Sequence, residues 1–379
     1  VKTKISFFTW FEAIDHGEKM TAKADGVQGR DKLQVPIKFM WNTASNVLMN
    51  QHSDHNYTQK ILSDEKKCEF ILVMDNQMTA TCKWADLLLP DVMQQEINDI
   101  AADGYATGTN NFMVALQKAV EPQWEQRSTY WFCTQLAKKF GIEKKFTEGR
   151  SQEDWVRWCY EQTRRKHPKQ MPDFDTFWKQ GVVKVPGVAA GKTVILKDFR
   201  DDPVKHKLNT PSGKIEIYSE RLAKIAKEWK LRPGEVITPI PVFCRTFEMP
   251  GDPLQKKYPL QCFGLHGQGH THSTYYNVPW LREVQPDELL INPVDAAPRG
   301  IRNGDRVLVF NGRGKVEMPA KVTPRIIPGV VAFPQGAWYT PKAGGVDVGP
   351  SINTLTSSQR SPLAKANPQH TNLVQVRKI

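Results

Sequence analysis

Acidic and amide side chains follow an apolar run in the first third of the chain. The run Phe70–Met74 predicts a buried strand, and Asp75 and Asn76 come directly after it. In open parallel α/β sheets, ligands lie outside the carboxyl ends of the strands. The Asp75 carboxylate could accept hydrogen bonds from N–H groups of a ligand. An aspartate here would equally suit a turn or a helix N-cap, so both interpretations stay open.

Histidines are concentrated in a second segment, which contains His266, His270 and His272. This spacing permits two of them to lie on one face, but no carboxylate or cysteine is close by in sequence, so we do not expect a metal site. The six cysteines are Cys68, Cys82, Cys133, Cys159, Cys244 and Cys262. None is spaced as C-x-x-C, so neither zinc nor an iron–sulfur cluster is predicted, and we expect free thiols.

The elements that must position these side chains change character along the chain. Residues 1–205 alternate predicted strands and helices, which indicates a parallel-sheet α/β domain. Residues 206–259 contain a proline-rich stretch without periodicity and are predicted to be a linker. Residues 260–379 carry short, closely spaced strands, which predicts a small β-barrel. The expected fold class is therefore α/β plus β.

The individual elements follow from apolar periodicity and turn residues. The predicted strands are Val35–Trp41, Phe70–Met74, Ala85–Pro90, Asn111–Val120, Ile215–Tyr218, Leu260–Phe263, Glu288–Ile291, Arg306–Phe310, Lys315–Val322 and Gly329–Phe333. The predicted helices are Thr58–Asp64, Ser128–Phe140, Gln152–Arg165, Phe174–Lys179 and Arg221–Trp229. We expect the first two strands to be buried neighbours, and Tyr105–Thr109 to be a polar loop.

Composition excludes some classes of protein. The chain has 379 residues with a formal net charge of +12, enough length for two or three domains. No apolar run approaches the roughly 18 residues that a membrane helix needs. No block of Lys and Arg or aromatic RNA-binding motif is present, so nucleic acid is not expected as a partner. The chain begins at Val1 rather than Met, which suggests processing or a fragment, and a leader could have been lost.

Several motifs together resemble the molybdopterin oxidoreductases of the dimethyl sulfoxide reductase family. The motifs are the strand with Asp75-Asn76, Met78–Thr81, Trp84–Pro90 and Glu96, then Phe146–Arg150, Thr210–Tyr218, Leu265–Trp280, Asn292–Asp305 and Ser361–Asn372. The amino-acid sequences at Phe146–Arg150 and Thr210–Tyr218 are most similar to those of the catalytic A subunit of anaerobic dimethyl sulfoxide reductases. The resemblance spans essentially the whole chain and implies the second half of an α/β domain followed by a barrel of the double-psi type.

The resemblance also implies which residues bind a molybdopterin guanine dinucleotide. The implied cofactor-binding residues are Ser45, Asn46, Asn50, Met74, Asp75, Glu96, Ile97, Asp99, Thr129, His266, Gln268, His270, His272, Ser273, Asn353, Asn367 and His370. Related enzymes often carry an acid where this chain has Thr129. No catalytic residue and no protein ligand to molybdenum is expected here. The [4Fe–4S] cluster and the metal ligand would belong to a preceding region.

The implied function is cofactor binding in a bis-molybdopterin-guanine-dinucleotide enzyme that reduces S-oxides or N-oxides in anaerobic respiration. The implied partners are an iron–sulfur electron-transfer subunit and a membrane anchor, on the periplasmic side after export by a twin-arginine leader. We expect the 379 residues alone to be catalytically silent. We also expect an exposed apolar face around Phe7, Phe8, Trp10 and Phe11. The competing hypothesis is a non-catalytic module that binds a nucleotide or a partner.

Overall fold

The computed structural model describes residues 2–102, 112–184, 194–367 and 370–379. The predicted loop Tyr105–Thr109 lies outside these ranges. The chain forms two compact units. Unit 1 contains Val1–Val73, Met78–Leu88 and Ile217–Ile379, and unit 2 contains Met74–Gln77 and Leu89–Glu216. Within the described ranges, no helix has the length and apolar character needed to cross a membrane.

Strands and helices alternate in the first half of the chain, and strands dominate the last third. The strands are β1 Phe39–Thr43, β2 Phe70–Asp75, β3 Leu87–Pro90, β4 Asp99–Ala102, β5 Phe112–Leu116, β6 Val182–Lys184, β7 Leu260–Leu265, β8 Leu289–Ile291, β9 Arg306–Phe310, β10 Lys315–Val322, β11 Val330–Pro334, β12 Val346–Asp347 and β13 Asn372–Lys378. The helices are α1 Trp10–His16, α2 Ala22–Asp25, α3 His55–Leu62, α4 Thr129–Lys139, α5 Glu143–Thr147, α6 Gln152–Arg164, α7 Phe174–Gln180, α8 Lys197–Asp201, α9 Glu220–Glu228, α10 Pro279–Val284 and α11 Pro293–Ala296.

The parallel-sheet α/β region is confirmed, and its sheet has the order β1-β2-β3. The predicted neighbours are therefore adjacent, but the prediction that both are buried was wrong for the first strand. This strand starts at Phe39 instead of Val35, and Phe39 and Trp41 are 52% and 40% exposed. The reason is its position at the sheet edge, where only one side has a strand neighbour. Apolar composition alone does not distinguish an edge strand from a central one.

The apolar face at the start of the chain is mostly covered, contrary to expectation. Trp10 and Phe11 are 6% and 1% exposed, whereas Phe7 is 50% exposed. The ring of Phe11 packs against His52, with ring centroids 4.2 Å apart, and against Tyr57 of α3 at 5.8 Å. Contacts between residues more than forty positions apart bury this helix, and its own periodicity could not show them.

The barrel is closed, as predicted. Its strands have the order β12-β10-β8-β11-β7-β13-β9, and a β9–β10 pairing closes the ring. Parallel and antiparallel pairs are mixed, with β7 parallel to β11 and antiparallel to β13. Inward-facing apolar residues of these strands form one buried core, including Leu289, Val316 and Phe333. This core gives the loops at the ends of the strands a rigid base.

Unit 2 has its own sheet and core. Its antiparallel sheet has the order β4-β5-β6, and a core that includes Tyr160 and Phe177 packs beside it. The predicted strand Ile215–Tyr218 does not form, and Ile215 and Ile217 are 65% and 75% exposed because no strand pairs with them. The predicted domain boundaries at 205 and 259 remain predictions, and the two compact units are divided differently.

Candidate cofactor-binding site

Two parallel barrel strands end side by side and deliver their loops to one place. The register of β7 and β11 pairs Gly264 with Phe333 and Leu265 with Pro334. His266 and Gln335 therefore follow adjacent strand ends, and the Gln335 N–H donates to the Leu265 carbonyl at 2.8 Å. This arrangement brings the histidine-rich segment next to a loop that sequence reasoning did not select.

A cavity of about 190 Å³ lies beside these loops within unit 1. It is lined by Asn46, Asn50, Gln51, His272, Ser273, Gln335, Gly336, Ile352 and Asn353. Five of these nine were predicted from the sequence, and the other four were missed. No carboxylate occurs among these lining residues. The lining offers amides, a hydroxyl and an imidazole, which suit a neutral polar or anionic ligand.

The asparagines of this cavity are held firmly but keep unused hydrogen-bonding atoms. The Asn353 amide donates to the Asn50 carbonyl at 2.6 Å, and the Thr81 N–H donates to Asn46 Oδ1 at 3.0 Å. Asn46 Nδ2 and Asn50 Oδ1 are buried without a partner. A buried amide atom without a partner costs roughly 1–3 kcal/mol. These two atoms therefore mark a place where a polar ligand would restore lost hydrogen bonds.

A close backbone approach positions His272 on the cavity wall. His272 has a left-handed φ of +51°, and its Nδ1 lies 3.1 Å from Gln335 Nε2. A Cβ on Gly336 would lie 1.8 Å from the His272 carbonyl oxygen, so only glycine fits at this position. Gln335 follows the apolar run of β11 as Asp75 follows the apolar run Phe70–Met74, and this signal could have revealed it.

A second cavity, of about 530 Å³, contains two more predicted residues, His266 and His370, beside Phe263. The rings of His266 and His272 are 5.7 Å apart, edge to face, so the two cavities are adjacent. His270 Nδ1 lies 2.7 Å from the His272 carbonyl oxygen and must carry the proton, because a carbonyl only accepts.

The remaining predicted residues of unit 1 have other surroundings. Gln268 is exposed and lines neither cavity. The Asn367 amide donates to Ser53 Oγ at 2.6 Å, and the Ser45 carbonyl accepts from the Asn42 amide at 2.6 Å. The contacts of Asn367 and Ser45 hold their loops in place. Gln268, Asn367 and Ser45 are not among the residues that line either cavity.

A neutral histidine lies next to the asparagines. His55 is fully buried, and burial lowers its pKa to about 3. Its Nδ1 lies 3.5 Å from Thr354 Oγ1, which donates to Asp347 at 3.0 Å. Asp347 also accepts three backbone N–H bonds, while burial raises its pKa. This network fixes the turn that carries Asn353.

Unit 2 gathers a separate polar group around the end of β2. The Asp75 carbonyl accepts from the Asp91 N–H at 3.1 Å. Thr129 Oγ1 donates to Asp91 Oδ2 at 2.6 Å. Burial raises the pKa of Asp75, and Asp91 adds to that shift. Met74 is fully buried beside them in the strand. Asp91 was not predicted, although it follows the apolar run ending at Pro90.

The polar corner predicted at residues 96–99 separates into two roles. Glu96 is 5% exposed and its Oε2 accepts from the Met93 N–H at 2.6 Å, which closes a turn. Ile97 is half-buried, and Asp99 lines a different, aromatic cavity of unit 2. In the described residues, no group of three His, Cys, Asp or Glu side chains could hold a metal ion. Among the described residues, none of the six cysteines forms a disulfide bond.

Comparison with known proteins gives two family matches. Residues 13–139 match the family model "Molybdopterin oxidoreductase", and residues 260–373 match "Molydopterin dinucleotide binding domain". The chain aligns over 99% of its length with acetylene hydratase from Pelobacter acetylenicus, with a TM-score of 0.71 and 20% identity, which supports the fold alone. That alignment covers 46% of the hydratase chain.

The chain belongs to the molybdopterin oxidoreductase family. Within this family, it is 50% identical over its whole length to the dimethyl sulfoxide reductases DmsA of Haemophilus influenzae and of Escherichia coli K12. It covers 47% and 46% of those two proteins. It is also 34% identical to trimethylamine-N-oxide reductase 1 of Escherichia coli K12, over 87% of this chain and 39% of that protein. The chain thus spans 39% to 47% of the length of these relatives.

Proposed function

We propose that this chain is the C-terminal cofactor-binding part of a molybdenum oxidoreductase that reduces dimethyl sulfoxide or related S- or N-oxides in anaerobic respiration. The observation that carries the proposal is the cavity at the joint ends of β7 and β11, with its buried unpartnered Asn46 and Asn50 atoms. Membership of the family and the 50% identity to two dimethyl sulfoxide reductases support it.

The lining of this cavity fits a pterin or the phosphates attached to it. A pterin edge alternates N–H donors with N and O acceptors, which match the amide groups of Asn46, Asn50 and Gln335. His272 and Ser273 supply donors suited to a phosphate or a ring carbonyl. The volume of about 190 Å³ holds one segment of the dinucleotide, not all of it. When bound, the cofactor supplies oxygen-atom transfer, while these residues orient it and exclude water.

The second group, Asp75, Asp91 and Thr129, is proposed to bind guanosine. Its acceptor oxygens suit the N–H groups of a guanine base, and Thr129 replaces the acid common in related enzymes. Asp75→Ala should therefore lower cofactor retention. Asp86 is a poor control, because its carboxylate accepts from the Ile71 N–H at 2.7 Å. The exposed Asp198 of the same unit is a better one.

The cellular setting is proposed from the same relatives. We propose that the native polypeptide is the catalytic subunit of a multisubunit complex at the periplasmic side of the cytoplasmic membrane, exported by a twin-arginine leader. An iron–sulfur subunit would deliver electrons from a membrane anchor. The cofactor would be bis-molybdopterin guanine dinucleotide, and the preceding part of the polypeptide would hold a [4Fe–4S] cluster.

The test uses the native polypeptide that contains this chain. Molybdenum is measured by elemental analysis, and reduction of dimethyl sulfoxide and trimethylamine N-oxide is assayed with a reduced viologen donor. We expect stoichiometric molybdenum and turnover of at least one of the two oxides. A folded protein without metal or turnover would favour the competing hypothesis of a non-catalytic nucleotide- or partner-binding module.

A further inference from the structure

An aromatic cavity of about 390 Å³ lies in unit 2, and Asp99 is the one residue of its lining that the family resemblance implied for the dinucleotide. Its walls come from α4, α5, α6 and the start of β4. Three aromatic rings line it: Tyr130, Phe146 and Trp155. Cavities of this size and apolar character are typical of sites for small molecules.

Hydrogen bonds and ring contacts hold these aromatic walls in place. Trp155 Nε1 donates to the Tyr130 hydroxyl at 3.2 Å, and that hydroxyl donates to the Arg150 carbonyl at 2.7 Å. The rings of Tyr130 and Phe146 are stacked, with centroids 5.8 Å apart and planes at 24°. A ligand would therefore meet walls that are already ordered, which reduces the entropy lost on binding.

The charge of the cavity points to a cation. Asp99 is the only charged side chain among the residues that line it. Its Oδ1 accepts from the Ile100 N–H at 2.7 Å. Half-buried beside three aromatic rings, this carboxylate leaves a negative charge facing an apolar space.

Aromatic faces in the same unit already bind a cation of this chain. The Arg150 guanidinium lies 4.5 Å from the ring centroid of Trp155 and 5.4 Å from that of Trp158. Ring faces attract cations through their quadrupole, and cages of aromatic residues recognise quaternary ammonium groups in this way. Arg150 does not line the cavity, whereas the stacked rings of Tyr130 and Phe146 do.

We propose that this cavity binds a small organic ammonium ion, with the alkylated nitrogen against the aromatic rings and Asp99 balancing its charge. A neutral molecule of the same shape would gain the apolar contacts but not the attraction to the rings and the carboxylate. Binding should therefore depend on the charge of the ligand. The proposal does not depend on the cofactor and assigns Asp99 to a different ligand.

The test is a ligand-observed NMR titration of the 379-residue chain with choline and its uncharged analogue 3,3-dimethylbutan-1-ol. We expect choline to bind about fivefold or more tightly than the alcohol. Asp99→Asn should reduce choline affinity about fivefold and leave the alcohol unchanged. Phe146→Leu should weaken choline binding by a similar factor. Asp175→Asn is the matched control, because Asp175 is an acid of the same unit that pairs with Arg157 outside the cavity.

Several outcomes would overturn the proposal. Equal binding of choline and the alcohol would show that charge is irrelevant. No choline binding at tens of millimolar would show that the cavity has no such function. Choline displacement by GMP would assign Asp99 to a nucleotide instead. Thermal unfolding of each variant shows that the fold is intact, so a loss specific to choline cannot be attributed to misfolding.

Discussion

Replacing Gly336 with alanine should disrupt the cavity wall more than an equally strained substitution elsewhere. Gly336 has φ = +98°, a conformation that costs an L-residue about 1–2 kcal/mol. An added Cβ would also lie 1.8 Å from the His272 carbonyl oxygen. That oxygen must retreat by about 1.5 Å to reach the roughly 3.3 Å of a tolerable C–H···O contact. The 3.1 Å contact between Gln335 and His272 would then be lost, at a further cost of about 1 kcal/mol.

Gly329→Ala is the matched control for this experiment. Gly329 has φ = +80°, but its added Cβ would meet no heavy atom within 4 Å. The Gly329→Ala variant should therefore lose only the backbone conformational contribution to its free energy of unfolding, about 1–2 kcal/mol. Urea unfolding of the 379-residue chain should show a loss of about 2–3 kcal/mol for Gly336→Ala. If both variants lose the same free energy of unfolding, the close approach to His272 does not constrain the cavity wall.

Three further predictions follow from buried charge and from the length of the relatives. Since the pKa of His55 is about 3 in the fold and about 6.5 when unfolded, the free energy of unfolding should fall between pH 6.5 and 3, by up to about 1.4 kcal/mol per pH unit. His55→Gln should flatten this slope in urea unfolding, and an unchanged slope would contradict it. Glu248→Gln removes the charge that pairs with Arg313 at 2.5 and 2.8 Å and should cost about 3 kcal/mol. Glu228→Gln in the exposed pair with Lys224 should cost less than about 1 kcal/mol, and equal losses in denaturant melts would refute the distinction. The 379 residues purified alone should contain little molybdenum by elemental analysis and show no oxide reduction, whereas stoichiometric metal with turnover would place the active site within them.

Part of the cavity could be predicted because polar residues at strand ends leave a local signal. Asn46, Asn50, His272, Ser273 and Asn353 were identified in this way or through the family resemblance, and the structure brings them together. Gln335 carries the same signal after β11 but was overlooked. The role of Gly336 could not be recognised from the sequence. It depends on the close approach of the His272 backbone, 64 positions earlier in the chain, to the Gly336 Cα.

The elements were more predictable than their surroundings. Apolar runs identified β2 and the barrel strands, because the local sequence of these strands already indicates that they are buried. The exposure of β1 and the burial of Trp10 and Phe11 depend on which segments pack against them. Ile215–Tyr218 has an apolar alternation but no partner strand, and a strand needs a partner for its backbone hydrogen bonds. Long-range packing therefore accounts for the errors.

Asn50→Leu in the native polypeptide tests the central claim most directly. Asn50 Oδ1 is buried without a protein partner, so an apolar side chain of similar shape should not destabilise the fold. The same change removes an amide from the proposed cofactor cavity. We predict an unchanged thermal unfolding midpoint and a loss of about fivefold or more in molybdenum and in GMP released by acid hydrolysis, per chain. Full cofactor content in a variant that folds normally would contradict the assignment of this cavity.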